Sequence, residues 1–544
     1  MSPVFQASQR QTYSVTTSHS DLSWGNFSDS GPWVLDRDTI AWSQVAVVLR
    51  DAARKEVPTL IRTRKFPPIG RLIVVVWHLG TALLPWFINK KRKRFATPEE
   101  SRTYVSRRLR VAIEKLGATY IKLAQIISSG EGLFPTELVD EFKRCRDQVP
   151  PEPWDSVRTT IEQDLGARLD DVFIHVEKTA LAAASIAQVH RAQLRTGEDV
   201  VIKVQRPRVS TLVRKDLQVM AWIAPFMIGR IKVAALANPP ALVELFAETI
   251  VEELDFRMEA ANMVDVAAMM HELRQEAYIV PRPHPQLVTR RILIMERLQG
   301  FNFDDVEGMQ AAGIDTEAVV RAGMIAFMEG ALVHGVFHGD LHGGNLFVLN
   351  DGRTALLDFG IVGRLSDKRR MAFMRLMLGA TTNDLRGQVA ALRDLGALPQ
   401  DTDIDAVIVD LKLDQPVDPT TLNGEELVQE VQRIVKSLLA YGAKLPKELM
   451  LYVKNMVFLD GAIARLAPDL DIIAELTNIT MVFTQRHGER IFRELGVDQS
   501  TFQIDLGSVK ASLGVDESTD TLTYRELQRR RELIQKRMKD HLVG

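Results

Sequence analysis

The residue types best suited to chemistry fall in one stretch, His338-Gly339-Asp340-Leu341-His342-Gly343-Gly344-Asn345, followed by Leu357-Asp358-Phe359-Gly360. Phosphoryl transfer asks little covalent work of a protein. It needs aligned phosphates, metal ions that neutralise charge, and a carboxylate near the acceptor hydroxyl. Asp340 and Asn345 share a glycine-containing loop. Their spacing lets the carboxylate face an acceptor while the amide oxygen turns to a metal. Asp358, at a strand end, is placed to bridge phosphate oxygens through Mg²⁺. The intervening LFVLNDGRTALL predicts a hairpin turning at Asn350-Asp351-Gly352. Asp-Phe-Gly alone is a weak signal, but loop, hairpin and Asp-Phe-Gly together are specific. ATP and Mg²⁺ are the implied cofactors. His334, His338 and His342 recur at helical spacing, as metal ligands on one helix would. Gly335, Gly339, Gly343 and Gly344 argue against that helix, so His338 reads better as a brace for the loop.

Upstream, Lys203 lies in Val200-Val201-Ile202-Lys203-Val204, a predicted strand. A lysine between apolar strand neighbours points away from them, here to the α- and β-phosphates of a nucleotide. Many edge strands carry lysine, so its position ahead of the Asp340 loop gives it weight. A helix carboxylate would hold it. On an unbroken helix Glu252, Asp255 and Glu259 share one face, and spacing alone does not choose among them. Ala182-Ala183-Ala184-Ser185 stands one strand pair before Lys203, where a phosphate-covering loop belongs. Alanine still admits fairly close approach but restricts positive φ. The competing reading is a small-residue helix.

The elements that position these residues divide the chain into an α+β, two-lobed arrangement with a helical N-terminal extension. Residues 1–36 are rich in Ser and Thr, carry no secretory signal and are expected to be disordered. A helical, membrane-proximal segment covers 37–100 and a helical extension 101–165. In the extension Val105, Leu109, Ala112, Leu116, Tyr120, Leu123 and Ile127 mark a buried face. A β-containing lobe covers 166–298, with a loop around Pro281, Pro283 and Pro285. A helical lobe covers 299–500 and a charged tail 501–544. Residues 72–88 lack charge and precede Lys90, Lys91, Arg92, Lys93 and Arg94. The stretch falls short of the roughly 20 apolar residues of a membrane span. Two readings stand: a buried helix with a solvated basic end, or a segment lying on an anionic leaflet. The formal net charge of −2 provides no field toward nucleic acid. One cysteine, Cys145, excludes an internal disulfide and fits an intracellular protein in which that thiol is incidental.

The set AAASIAQVH, VVIKVQRP, EELDFRMEAAN, FHGDLHGGN and LLDFG, with Gly117-Ala118-Thr119-Tyr120-Ile121-Lys122-Leu123-Ala124-Gln125-Ile126 upstream, resembles the UbiB family of atypical kinases. The likeness runs from about residue 100 to 365 and more loosely to about 490. It implies a protein-kinase-like fold. By position, the family's Lys-x-Gly-Gln motif falls on Lys122 to Gln125 and its Glu-x-Asp motif on Glu253 and Asp255. The nucleotide lysine falls on Lys203, its helix partner on Glu259, and the alanine-rich loop on Ala182 to Ser185. Asp340 takes the catalytic position, and Asn345 and Asp358 those of the metal ligands. The fold analogy implies that backbone groups of Met295, Glu296 and Leu298 meet the adenine. The resemblance also implies that the helix of Lys122 and Gln125 meets the Glu-x-Asp segment over the active site and narrows access.

The departures are Ala124 and Ala187 where the family has glycine, and Gly339, Leu341 and Gly343 where it has Ala, Pro and Pro. HGDLHGGN is closer to the aminoglycoside and choline phosphotransferases. The C-terminal membrane helices of some family members are replaced by the charged tail. The expected function is Mg–ATP binding with ATPase or phosphotransferase activity, peripherally at a membrane on the cytoplasmic side or in the cytoplasm. It would act on or with a lipid-like or isoprenoid molecule, in quinone or lipid biosynthesis or homeostasis, with proteins of a biosynthetic complex as possible partners. The alternatives are a soluble small-molecule phosphotransferase and a nucleotide-gated scaffold.

Overall fold

A computed structural model describes residues 32–62, 66–128, 135–145, 150–227, 239–382, 384–413, 446–496 and 519–543, with isolated positions between 433 and 443 and at 507 and 510. The chain divides into two compact units. The first runs to Asp265 and adds Val280–Leu298 and Asp358–Ile361. The second takes Val266–Ile279, Gln299–Leu357 and Val362–Gly544.

The first unit is built on an antiparallel sheet. Its strands are β1 (Phe173–Val176), β2 (Ala182–Ala183), β3 (Ala187–Leu194), β4 (Asp199–Gln205), β6 (Pro283–Val288) and β7 (Ile292–Glu296), ordered β1-β3-β4-β7-β6 with β2 on β3. Val200, Ile202 and Val204 of β4 and Ile292 and Ile294 of β7 share a core with Val157, Ile161 and Leu165 of one helix, Trp154–Leu165. Side chains alternate along a strand, so Lys203 and Met295 project from the opposite face. The proline-rich segment expected as a loop is partly strand: Pro283 and Pro285 lie in β6. That strand is at the sheet's edge, where a missing N–H costs no ladder bond.

Helices α1 (Ala41–Leu60), α2 (Ile69–Lys91), α3 (Pro98–Leu116) and α4 (Ala118–Ser128) precede the sheet. Residues 1–31 of the segment expected to be disordered lie outside the described residues. Residues 32–36 are placed: Trp33 is buried and donates to the Val280 carbonyl at 2.8 Å. The helical period of the extension is broken by Gly117, whose φ of 95° no β-carbon tolerates well. The buried set therefore shifts to Ala112, Ile113, Leu116, Tyr120, Ile121 and Ala124. Cys145 is buried, and burial pushes its thiol up to about 12, so it is inert at neutral pH.

The buried-helix reading of 72–88 is overturned. In α2 only Val75 and Ala82 are buried, while Ile73, Trp77, Leu84 and Phe87 are 59–68% exposed. The helix is long and apolar enough to cross a membrane. It is tied to its unit by polar anchors. Arg71 pairs with the fully buried Asp216 and donates to the Leu116 carbonyl at 2.6 Å. Arg108 donates to the Ala82 carbonyl at 2.8 Å, and Trp86 to the Ser101 hydroxyl at 3.0 Å.

The second unit contains a four-stranded sheet of β5 (Tyr278–Ile279), β8 (Phe301–Asn302), β10 (Leu346–Val348) and β11 (Thr354–Leu356), ordered β5-β11-β10-β8. A further pair joins β9 (Val336–His338) and β12 (Val362–Arg364). The expected hairpin is present: β10 and β11 pair antiparallel, and Gly352 turns between them with φ 85°. The helices include one at Thr316–Met328, one at Lys447–Leu466, one at Ile472–Leu495 and the charged terminal one at Tyr524–Val543. Tyr452 stacks on Phe327 at 5.2 Å and meets Phe337 and Phe373 edge-on. Glu329 is fully buried and accepts bonds from Gln275 at 2.6 Å, His487 at 2.8 Å and Arg486 at 3.2 Å.

Burial raises the Glu329 carboxyl, but the bonds from His487 and Gln275 outweigh it and hold the group below the ordinary glutamate value. A carboxyl depressed on folding adds stability above its unfolded pKa, a contribution lost as the pH falls through the folded value. Glu329→Gln should therefore be less stable at neutral pH and show a flatter loss of stability between about pH 5 and pH 3. Denaturant midpoints across that range test it, and parallel profiles would contradict it.

Candidate active site

In the first unit Lys203 is the centre. Its Nζ lies 2.6 Å from Glu259 Oε1 and 3.2 Å from Asp358 Oδ2. Lysine and glutamate are both nearly inaccessible, at 7% and 5%. Burial disfavours the ammonium, but Asp358 and Glu259 outweigh it and hold Lys203 charged above the usual lysine range. Burial pushes the Glu259 carboxyl up against the pull of Lys203. Such a group costs several kcal/mol to bury unpaired, so the two carboxylates are a condition of its presence.

Local structure explains why Glu259 is the partner. The acidic face expected on an unbroken helix does not exist. One helix, Pro239–Glu253, stops and another, Phe256–Leu273, begins. Asp255 at the junction accepts from the Arg257 backbone N–H at 3.1 Å and from its guanidinium at 2.7 and 2.9 Å. Glu259 is thereby set one turn inside the second helix. Asn262, one turn further, donates to the Phe359 carbonyl at 2.7 Å. The Phe359 N–H reaches Glu259 at 3.4 Å, and the Gly360 N–H is held by Asp358 Oδ1 at 2.9 Å. The Asp-Phe-Gly segment is thus fixed to the helix that carries Glu259.

Lys122 of α4 pairs with Glu253 at 3.0 Å, both side chains largely buried. Glu253 in turn lies against Gly360, where an added Cβ would stand 3.4 Å from its Cγ. Gln125 follows Lys122 on the same helix, and Ala124 is fully buried. The alanine-rich loop is a hairpin, not a helix. Ala182 and Ala183 pair with Val189 and Gln188, and the Ala184 N–H donates to the Ala187 carbonyl at 2.8 Å. Ser185 is buried in the turn. Arg206, at the end of β4, clamps the hairpin by donating to the Ala184 carbonyl at 2.9 Å. At the end of β7 the Glu296 N–H is taken by the Arg282 carbonyl at 3.0 Å and the Arg297 N–H by the Asp199 carbonyl at 3.3 Å.

In the second unit the Asp340 loop is braced from several sides. His338 is buried, and its Nδ1 accepts from the Asp340 N–H at 3.2 Å. His342 Nδ1 accepts from the Gly344 N–H at 3.1 Å, and His334 pairs with Glu272 at 2.9 Å. The three histidines occupy different elements, so they share no helix face. Asn345 Nδ2 donates to the Asp340 carbonyl at 3.1 Å, which turns its Oδ1 away as an acceptor. The Leu357 N–H donates to the Asn345 carbonyl at 3.0 Å, tying the residue before Asp358 to Asn345. A Cβ at Gly343 would stand 2.8 Å from the Asp304 carboxylate, so proline would not fit there.

Two residues went unread in the sequence. Lys454 Nζ contacts Asp340 Oδ1, and the neighbouring Asn455 accepts from the Leu341 N–H at 3.0 Å and donates to the His338 carbonyl. The available signal was a Lys-Asn pair inside the otherwise apolar run LMLYVKNMVFL.

A family model described as the ABC1 atypical kinase-like domain matches residues 144–392. A probable protein kinase UbiB of Pseudomonas aeruginosa is 30% identical over 428 residues, 76% of this chain and 78% of the relative. The chain belongs to the UbiB family of atypical kinases. An uncharacterised protein of Mycobacterium tuberculosis is 34% identical over 462 residues, covering 82% of this chain and 92% of the relative. The chloroplastic Activity of BC1 complex kinase 1 of Arabidopsis thaliana is 28% identical over 498 residues, 87% and 72% of the two chains. The fold is accordingly kinase-like, with mixed helix and sheet.

The Lys122–Glu253 pair yields a test within this family frame. Lys122→Ala leaves the Glu253 carboxylate buried without that cation and should cost about 3 kcal/mol. The double variant Lys122→Ala, Glu253→Gln should recover most of it. Urea unfolding measures both, and additive losses would show that the pair is not coupled.

Proposed function

We propose that this chain is a Mg–ATP-dependent phosphotransferase or ATPase that works at a membrane surface on or with a lipid-like or isoprenoid molecule. The observation that carries the first part is the buried Lys203 ammonium between Glu259 and Asp358. A lysine held charged on a strand, aligned by a helix glutamate and beside the Asp-Phe-Gly carboxylate, is the arrangement a kinase needs to grip the α- and β-phosphates.

The oxygen donors fit a hard divalent cation. The Asp358 carboxylate is 40% exposed, and the Asn345 Oδ1 is left as an acceptor by the orientation of its amide. These two residues would hold Mg²⁺, which when bound neutralises charge on the phosphates. The adenine would meet the backbone of Glu296 to Leu298. The N–H groups of Glu296 and Arg297 are spent inside the unit, which leaves the Leu298 N–H as that segment's donor. The alanine hairpin would cover the phosphates with one N–H fewer than an open glycine loop offers, because the Ala184 amide is spent within the turn. Asp340 would take the acceptor's proton. Lys122, paired with Glu253, would restrict which acceptors arrive.

The membrane part of the reading is supported by α2. Its exposed Ile73, Trp77, Leu84 and Phe87, followed by the basic run Lys90 to Arg94, match a helix that seats its apolar side in an anionic leaflet. Quinone or lipid biosynthesis on the cytoplasmic side, within a complex of biosynthetic proteins, is the setting this reading gives it.

Asp358→Asn tests the nucleotide assignment. Mg–ATP at a hundredfold excess over its Kd should stabilise the native chain by about 2.7 kcal/mol, read as a rise in Tm, and the variant should lose nearly all of that rise. An undiminished rise would remove Asp358 from the site. Vesicles containing anionic lipid should bind the chain and raise its turnover. Turnover indifferent to vesicles, with small polar alcohols phosphorylated instead, would favour a soluble small-molecule kinase. Nucleotide binding without turnover would favour a scaffold.

A further inference from the structure

We propose that Lys454 is a catalytic residue: it holds Asp340 before the nucleotide arrives and then turns its ammonium to the terminal phosphate. The proposal rests on the reading of the site given above.

The placement of Lys454 is built, not incidental. It lies on the helix Lys447–Leu466, 114 residues beyond Asp340 in sequence, and its Nζ contacts Asp340 Oδ1. A contact between two exposed side chains would mean little, but here the side chains are only 25% and 15% exposed. The helix is also locked in register beside the loop. Asn455, fully buried, accepts from the Leu341 N–H and donates to the His338 carbonyl, so it spans the residues on either side of Asp340. One turn away, Phe458 packs on Phe303 at 5.5 Å. Asn455 thereby fixes the helix beside the loop, and Lys454, on the adjoining part of the helix surface, reaches Asp340 from there.

The loop itself, residues 338–345, carries no lysine or arginine. His342, two positions after Asp340, has its Nδ1 occupied by the Gly344 N–H. Phosphoryl transfer places growing negative charge on the oxygens around phosphorus, and a positioned cation stabilises it. In the reaction, the acceptor oxygen forms a bond to the terminal phosphorus. The bond from that phosphorus to the bridging oxygen breaks, its electron pair leaving with ADP, and the acceptor proton passes to the Asp340 carboxylate. In this step Lys454 exchanges one hydrogen-bond acceptor for another.

Calorimetric Kd values for Mg–ADP and for Mg–AMP-PNP, which carries a third phosphate group, test this alongside turnover. Lys454→Met should weaken Mg–AMP-PNP about tenfold, leave Mg–ADP within about twofold, and lower kcat about a hundredfold, the scale of losing one preorganised charge-stabilising group. Lys454→Arg, which keeps the charge, should recover most of both losses. Equal weakening of the two nucleotides in Lys454→Met would overturn the proposal in favour of a structural role. Unchanged affinities with turnover within twofold would overturn it outright. Faster turnover would overturn it by showing the lysine to be a block on Asp340. A native chain that binds neither nucleotide would overturn the reading of the site, and this inference with it.

Discussion

An ammonium group sealed between two carboxylates is the constraint on which the rest of the first unit depends. Lys203 is charged and nearly inaccessible. Its desolvation is offset only while Glu259 and Asp358 stay where they are. Glu259 is set by the helix start that Asp255 and Arg257 build, and Asp358 by the bonds from Asn262 to Phe359 and from Gly360 to Asp358. The sheet places the lysine, since the neighbours Ile202 and Val204 commit the other face to the core. Strand register, helix junction and Asp-Phe-Gly turn are one requirement met by three local structures.

That arrangement is also chemically poised. A cation already paired with carboxylates can be re-paired with phosphates at small cost, because the protein has met its desolvation in advance. The Lys122–Glu253 contact stands beside it through Gly360, so α4 is joined to the Asp-Phe-Gly segment by one carboxylate. In the same unit, Arg71 ties the exposed apolar helix α2 to Leu116 at the end of α3, two residues before α4 begins. The exposed apolar helix and the Lys203 cluster of this unit are therefore linked by a few buried polar contacts and not by a loose tether.

Much of this was legible in the sequence because it rests on local rules. The β10–β11 hairpin follows from Asn-Asp-Gly between alternating strands, and Lys203 on β4 from its apolar neighbours. The choice of Glu259 was not legible from spacing. The helix break at Leu254 and Asp255 carries no proline or glycine, and the local pairing of Asp255 with the Arg257 backbone and guanidinium that marks it has no signature in helical spacing. The exposure of α2 was likewise hidden, since an apolar helix reads alike whether protein or lipid covers it. Pro283 and Pro285 read as loop because a sequence does not say which strand will be the sheet's edge. Lys454 and Asn455 were missed for a related reason. They act on a loop more than a hundred residues away, and within their own helix they look like two polar interruptions.

Affinity labelling shows most directly whether Lys203 meets the nucleotide phosphates. An acyl-phosphate derivative of ATP transfers its acyl group to the lysine that lies against the phosphates, and peptide mass spectrometry reads the site. The expected result is modification of Lys203, suppressed by excess Mg–ATP and lost in Glu259→Gln. Labelling that spares Lys203, or that persists on Lys203 in saturating Mg–ATP, would contradict it.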